Sequence, residues 1–463
     1  MVKKTAEAKK IEHKTESEAE HKTTVKHEKH EKSDAKHDAK HEKHDVKHDT
    51  KHDSKHSKHD TILPELNIGM VGHVDHGKTT LVKALSGKWT SVHSEEIKRG
   101  ITIRLGYADV SFYKCTKCND YGVTPECKCG GKAEFVKKAS LVDAPGHESL
   151  MATMLCGANI MDGAILLVSA TEKCPMPQTQ EHLMALQIIG MKNVIVVQNK
   201  IDLVSDERAQ ANYQEIKDML KGTSFEDAPI IPMSAVHSIN LDMLVKTLVE
   251  TFKVSSKDAK KSPRMYVARS FDINKPGTLP SQLKGGVIGG VLKQGELHVG
   301  DEIEILPGYE VEERNTKIWK PLKTKITGIL AGGGEVSKIG PGGTFALLTK
   351  LDPNIVKSDK LAGAVVGKPK ELPAVISTLK LEIHLLERIV GAKDQLVVAP
   401  IIPKELLMLN VYSMATVGMV EEVAKGKAVF KLRRPVCAEP GARVAMSRNV
   451  GQRWRLIGYG VVI

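Results

Sequence analysis

Gly72-His73-Val74-Asp75-His76-Gly77-Lys78-Thr79 is the stretch that decides how this chain is read. It fits the G-x-x-x-x-G-K-[ST] phosphate-binding loop. The run before it, 66–71, is short and mostly apolar, as a strand would be. After it, Leu81, Ala84 and Leu85 share one helical face and Gly87 supplies a usual C-terminal cap. In a strand–loop–helix the backbone N–H groups of the loop and the helix N-terminus converge on a phosphate chain. Asp75, His76, Gly77, Lys78, Thr79 and Thr80 are therefore read as nucleotide-binding positions. Lys78 would reach the β/γ phosphates and Thr79 would ligate Mg²⁺.

The later loops name the nucleotide. Ser140-Leu141-Val142 leads into Asp143-Ala144-Pro145-Gly146-His147, a strand ending in a carboxylate that belongs near Mg²⁺. Gly146 lets the backbone approach the γ-phosphate, and His147, immediately after it, is read as the residue that positions the attacking water. The β-branched run 193–198 has the composition of a strand buried on both faces and delivers Asn199-Lys200-Ile201-Asp202. A carboxylate at Asp202 can accept from guanine N1–H and the 2-amino group, which adenine cannot match. A further strand-like segment, 229–233, ends in Ser234-Ala235-Val236, which can close on the base. Thr102, in the polar loop 94–104 between these motifs, is a candidate second hydroxyl for Mg²⁺. In this order the set specifies a GTP site.

Length and composition set the frame. A chain of 463 residues suggests two to four domains. It has no apolar run of about 18 residues and no apolar leader, so neither a membrane span nor a secretory signal is expected, and the reading is cytosolic. Seven cysteines, four of them between 115 and 129, suit a metal site in a reducing compartment. The formal charge of +12 makes a polyanion such as nucleic acid a plausible partner.

Residues 1–62 form a Lys/His/Glu/Asp-rich, low-complexity segment expected to be disordered, because it cannot bury enough apolar surface to offset its ordering entropy. Its first 60 residues carry 16 lysines against 14 carboxylates, so nearly all of the positive balance lies downstream. His37, His41, His44, His48, His52, His56 and His59 recur close to the helical period. As a helix they would make one metal-chelating, pH-responsive stripe; as coil they are only a soluble extension.

From 63 to 258 the pattern is that of an α/β GTP-binding domain. The linker 253–263 ends in Pro263, and beyond it helical periodicity gives way to short strands and glycine turns. Strand-like segments at 285–292, 300–305 and 342–348 indicate one β-barrel over 262–367. Segments at 379–385, 406–411, 428–432 and 443–447 indicate another over 368–463. Lys431, Arg433, Arg434, Arg443, Arg448, Arg453 and Arg455 concentrate positive charge in the last segment, as a solvated basic face or as RNA phosphate contacts. Cys156, Cys174 and Cys437 are isolated and expected to be small buried residues, and Trp454 is expected in a core.

Gly-His-Val-Asp-His-Gly-Lys-Thr, Arg-Gly-Ile-Thr, Asp-Ala-Pro-Gly-His, Asn-Lys-Ile-Asp and Ser-Ala together resemble the translational GTPases of the elongation factor Tu group. The stretches 147–154, 175–183, 264–277 and 453–460 are similar, more narrowly, to the gamma subunits of archaeal and eukaryotic translation initiation factor 2. The resemblance covers about residues 63–463. It implies two barrels after the GTPase domain and a slow GTPase that needs an activating partner. It implies a carrier of initiator methionyl-tRNA to the small ribosomal subunit, in complex with alpha and beta subunits. By position, Thr79 and Thr102 would ligate Mg²⁺, with Asp143 acting through water, and Asp75 and Gly100 would serve a further magnesium. His147 would orient the water beside an apolar gate of Val74 and Ile101, and loops 94–104 and 143–150 would be the switch. The methionine pocket would lie where the GTPase domain meets the first barrel.

Cys115-x-x-Cys118 and Cys127-x-Cys129 fall within an insertion at about 113–135, and four thiolates suit tetrahedral zinc clamping a polar hairpin without a core of its own. The resembling family carries two C-x-x-C knuckles here, so the C-x-C is a departure. Two other functions fit the same motifs: an elongation-type aminoacyl-tRNA carrier, and a scaffold that retains GTP without turnover.

Overall fold

A computed structural model describes residues 62–90, 96, 102–253, 259–314, 316–389 and 396–463. The histidine-rich segment, Gly100 and Ile101 lie outside the described residues.

Seven strands make the first sheet: β1 (Leu66–Gly72), β2 (Gly106–Cys115), β3 (Tyr121–Gly122), β4 (Ala133–Asp143), β5 (Gly163–Ser169), β6 (Val194–Asn199) and β7 (Ile230–Pro232), in the order β3-β2-β4-β1-β5-β6-β7. β4, β1, β5, β6 and β7 run parallel, and β2 is antiparallel to β4. β1, β5 and β6 are buried along their whole length, as the apolar runs require when helices cover both faces. Their side chains alternate between two layers. Ile68 and Met70 face Leu81 and Leu85 of helix Lys78–Ser86 and Leu244 and Leu248 of helix Leu241–Thr251. Val71, Leu166 and Val196 face Met154 and Leu155 of helix Met151–Ala158 and Leu183 and Leu186 of helix Pro177–Ile189. Parallel strands ending together put the phosphate loop, Asp143 and Asn199 on one edge, where open α/β sheets bind ligands.

Two closed six-stranded barrels follow. In the first, Glu302–Glu313, Val365–Gly367, Arg264–Phe271, Val287–Gln294, Thr344–Thr349 and Thr316–Ala331 succeed one another, and pairing of the first with the last closes the ring. In the second the order is Val375–Leu385, Lys427–Cys437, Met414–Ala424, Leu406–Val411, Arg443–Val450 and Arg453–Val462. The strand Thr316–Ala331 was not legible in the sequence. Its lysine-rich first half is largely exposed, so no apolar alternation marks it.

Hydrogen bonds join both barrels to the sheet domain. Asn67 Nδ2 donates to Gly342 O at 2.8 Å, and Thr344 N donates to Ser140 Oγ at 3.0 Å. Asn410 Nδ2 donates to Ala152 O at 3.1 Å, and Asn159 Nδ2 donates to Tyr412 O at 2.9 Å. No described helix is long and apolar enough to cross a membrane.

The seven basic residues divide. Lys431 and Arg433 are exposed, whereas Arg448 pairs with Glu405 at 2.5 Å, Arg443 Nη1 donates to Ile188 O at 3.0 Å, and Arg434 lies over the Trp319 ring. Arg453 and Arg455 pair with acids of the sheet domain. The partners of these five are too distant in sequence for a linear reading to supply them. Cys174 and Cys437 are buried as expected. Cys156 is half-buried, and its sulfur accepts from Asn410 Nδ2 at 3.3 Å across a domain seam. Trp454, expected in a core, is half-buried.

Candidate functional site

β1 hands over to the phosphate loop at Gly72, whose φ of 138° and contact with the Leu167 carbonyl leave no space for a Cβ. Gly77, at φ 94°, abuts the Asn199 amide, so the phosphate loop and the base loop meet at a residue without a side chain. Lys78 Nζ donates to Gly72 O at 3.0 Å and His73 O at 2.5 Å. Burial pulls its pKa down to about 8 against the pull of Asp143 and Asp75. Its hydrogen bonds go to carbonyls, with the carboxylates of Asp143 and Asp75 acting only through space, and a phosphate would supply an anion in direct contact.

Two histidines buttress this loop with their rings. His182, fully buried on helix Pro177–Ile189, accepts the Gly72 N–H at Nδ1, 2.8 Å away. Burial pulls its pKa to about 3, so the ring is neutral with its proton on Nε2. His76 is turned inward, with Nδ1 on Leu167 O at 2.9 Å and Nε2 3.3 Å from Glu172. That orientation leaves only its backbone to face a nucleotide. Asp75 is exposed at φ 60°, and Thr80 is half-buried at the helix start.

Beside Lys78, oxygen donors converge. Thr79 Oγ1 donates to Asp143 Oδ2 at 2.7 Å and lies 3.2 Å from Thr102 Oγ1. Thr90 Oγ1 donates to the same Asp143 oxygen at 2.7 Å. Sequence reading missed Thr90, which belongs to no recognisable spacing. Asp143 is fully buried, its pKa raised by desolvation against the two hydroxyls and Lys78. Its Oδ1 has no hydrogen-bond partner among the described residues. A buried carboxylate with one orphaned oxygen beside two further hydroxyls fits a hard, oxygen-liking, partly hydrated cation such as Mg²⁺. Near this cluster, Glu96 accepts the N–H groups of Ile103 and Arg104 at 2.9 and 3.0 Å and tethers the chain after Thr102.

A Cβ at Gly146 would meet Lys78 Nζ and the Gly72 carbonyl, so only glycine lets this loop close on the phosphate loop. His147 next to it is exposed, and its Nδ1 lies 2.8 Å from Ser149 Oγ.

At the base end, Asn199 is a brace. Its Nδ2 donates to His76 O at 2.9 Å, and its Oδ1 accepts Ala235 N–H at 3.0 Å, tying three loops together. Lys200 adopts φ 65°, Asp202 lies 3.7 Å from His237 Nε2, and Ser234 is buried. Leu203 and Val236, beside these loops, stand 66% and 72% exposed.

The four cysteines meet on the hairpin between β2 and β4. Their sulfurs all lie within 4.8 Å of one another, with Cys115–Cys129 at 3.5 Å and Cys118–Cys127 at 3.4 Å. A tetrahedron with Zn–S bonds of about 2.3 Å has edges of roughly 3.8 Å, so the shorter C-x-C still lets four thiolates reach one ion. N–H groups of Cys118 and Lys117 hold the Cys115 thiol down to about 6. Desolvation and hydrogen bonds among the thiols raise those of Cys118 and Cys127, so without an ion one thiolate is favoured rather than four. Gly131 lies against the Cys115 and Cys129 sulfurs, where a Cβ would be crowded at 3.0 and 3.2 Å.

A phosphate loop, Asp-x-x-Gly and Asn-Lys-x-Asp on one edge of a parallel sheet, followed by two barrels, define a GTPase of the translation-factor class. Residues 64–254 match the elongation factor Tu GTP binding domain, and residues 377–462 match the family described as initiation factor eIF2 gamma, C terminal. The chain is 55% identical over 406 residues to translation initiation factor 2 subunit gamma of Pyrococcus furiosus, covering 88% of this chain and 99% of that protein. To the same subunit of Methanothermobacter thermautotrophicus it is 57% identical over 402 residues, covering 86% and 98%. The chain belongs to the family of translation initiation factor 2 gamma subunits. Among solved structures, elongation factor SelB of Methanococcus maripaludis with the GTP analogue GppNHp shares the fold. Its TM-score is 0.64 at 23% identity, over 87% of this chain and 79% of that one. A bacterial selenocysteine-specific elongation factor EF-Sec aligns with TM-score 0.66 and 24% identity, over 86% of this chain and 58% of that one.

Proposed function

We propose that this translational GTPase carries initiator methionyl-tRNA to the small ribosomal subunit. In this reading it is the gamma subunit of an alpha–beta–gamma initiation factor and releases its cargo when GTP is hydrolysed. The observation that carries the proposal is the match to gamma subunits over nearly their full length, with Thr79, Thr102, Asp143 and His147 all in place.

GTP lies along the sheet edge, with its phosphates on the N–H groups of 75–80 and on Lys78, and Gly146 against the γ-phosphate. Asn199 and Lys200 frame the base, Asp202 accepts from guanine N1–H and the 2-amino group, and Ser234, Ala235 and Val236 close over it. Thr79, Thr102 and, through water, Asp143 would hold Mg²⁺, with Asp75 and Gly100 at a further magnesium. The bound ion would neutralise charge between the β and γ phosphates. His147 swings from Ser149 to orient the attacking water, and Val74 and Ile101 screen it. Loss of the γ-phosphate removes what holds Thr102 and Gly146 together, which releases the 94–104 and 143–150 loops. Cys115, Cys118, Cys127 and Cys129 would hold structural zinc.

Between β2 and the first barrel lies a cavity of about 420 Å³ lined by Tyr107, Arg269, Phe271, Leu330 and Phe345. Its aromatic and aliphatic walls suit the methionyl side chain, and Arg269 suits the tRNA end. Binding of initiator against elongator methionyl-tRNA, with a GTP analogue present, tests the cargo. A preference of roughly tenfold or more for the initiator is expected. Equal binding would favour the elongation-type carrier, and a protein that never turns GTP over with ribosomes and an activating factor would be a scaffold.

A further inference from the structure

The last strand of the second barrel carries Arg455 into the sheet domain, where it is 8% exposed. Its two terminal nitrogens divide between two carboxylates. Nη2 reaches Glu148 Oε2 at 2.7 Å, and Nη1 pairs closely with Glu181 Oε1. Arg453, two residues earlier on the same edge, pairs with the other Glu148 oxygen. Two cations thus meet two anions, and no net charge is left at the seam.

What these acids adjoin matters more than the pairing itself. Glu148 directly follows His147. Glu181, 2% exposed, directly precedes His182, whose ring accepts the Gly72 N–H of the phosphate loop. One guanidinium therefore ties the loop that bears the water-orienting histidine to the helix that braces the phosphate loop. His147 is exposed and caps the one turn of 3₁₀ helix, Glu148–Leu150, that leads into the packed helix Met151–Ala158. The helix fixes the far end of this segment, and Arg455 holds the turn at its exposed end.

We propose that Arg455 is a positioning residue for GTP hydrolysis, holding His147 in register with the phosphate loop through Glu148 on one side and Glu181–His182 on the other. The proposal rests on His147 being the residue that orients the water. A fork is required, because a lysine keeps the charge but places it at a single point and cannot span both carboxylates in fixed geometry.

The test is single-turnover hydrolysis of γ-labelled GTP by the full chain with Mg²⁺, ribosomes and an activating factor, alongside equilibrium GTP binding and thermal unfolding. Arg455→Lys is expected to hydrolyse roughly tenfold or more slowly while GTP affinity changes by less than about threefold, since displacement of a catalytic group acts on the chemical step. In a His147→Ala background the same substitution should add less than about twofold, because groups acting as a unit are not additive. Parental hydrolysis by Arg455→Lys, or an equal loss in both backgrounds, overturns the proposal. If His147→Ala alone hydrolyses at the parental rate, the reading of His147 fails and the proposal falls with it. If His147→Ala is inactive while Arg455→Lys is normal, only the proposal fails. Should Arg455→Lys not fold, Glu148→Gln replaces it with the same expected and overturning results.

Discussion

The phosphate pocket and the cysteine hairpin both gather ligand atoms from distant positions, but they are held together in opposite ways. In the pocket, the main groups are placed by buried strands and helices of one sheet layer. Lys78 follows β1, Asp143 ends β4, Asn199 ends β6, and His182 braces Gly72 from a helix packed on the same sheet. The hairpin has less support. Tyr121 and Val123 pack on the sheet's core and Tyr121–Gly122 pairs with β2, but of its four thiols only Cys115 is buried and the chain from 116 to 132 is mostly exposed. The sheet builds the pocket in advance of its ligand, whereas the hairpin tip, on the proposed zinc reading, would lean on its ligand.

That contrast makes metal removal the largest expected effect. A structural zinc supplies about 10–16 kcal/mol in small domains, and the hairpin tip has little else. Chelation should abolish amide-exchange protection across 116–132 while the protection of β1, β5 and β6 is unchanged. Loss of protection throughout the sheet would mean that the hairpin supports the pocket and that the contrast is wrong. Zinc quantification on the purified chain and on Cys127→Ser should give about one ion and none, respectively.

Asp202→Asn comes next. On the proposed reading it replaces one of the two carboxylate oxygens by an amide donor, leaving one guanine N–H unmet and the other bonded to an uncharged acceptor. With about 1.5–3 kcal/mol per charged hydrogen bond, GTP affinity should fall roughly 10²-fold. Because the pocket is built by strands rather than by ligand, the thermal midpoint of the nucleotide-free protein should move by no more than about 2 °C. Calorimetric titration and a melting curve on the same preparation check both halves.

The smallest effect is one of pH. Burial lowers the Lys78 pKa to about 8 in the free protein, and bound phosphates would raise it again. Above pH 8 the free lysine is increasingly neutral, so binding must take up a proton and GTP affinity falls as pH rises. The loss should be about tenfold between pH 7 and pH 9. Lys78→Arg, which stays charged throughout, should flatten that dependence. A pH-independent affinity in the parent would show that Lys78 is already paired before GTP arrives.

The same contrast explains what could be read from the sequence. The pocket's main elements were legible because each is local: a glycine loop between strand and helix, a strand ending in Asp143, a β-branched run ending in Asn199. The four cysteines were legible because thiol spacing is a short-range signal. Thr90 escaped, since a hydroxyl that bonds Asp143 across 53 residues leaves no periodic trace. His182 was visible only as part of a family stretch. The arginines of the last strand were read as a surface because Arg455 and Glu181 are 274 positions apart, and only the closed barrel brings them together.

On the proposed function the nucleotide controls the cargo. That is tested most directly by equilibrium binding of initiator methionyl-tRNA to the full chain, alone and with the alpha and beta subunits of the proposed complex, in a non-hydrolysable GTP analogue and in GDP. Affinity should be at least about tenfold higher with the analogue, within the usual range of coupling between sites. Equal affinity in the two nucleotide states would contradict the proposal.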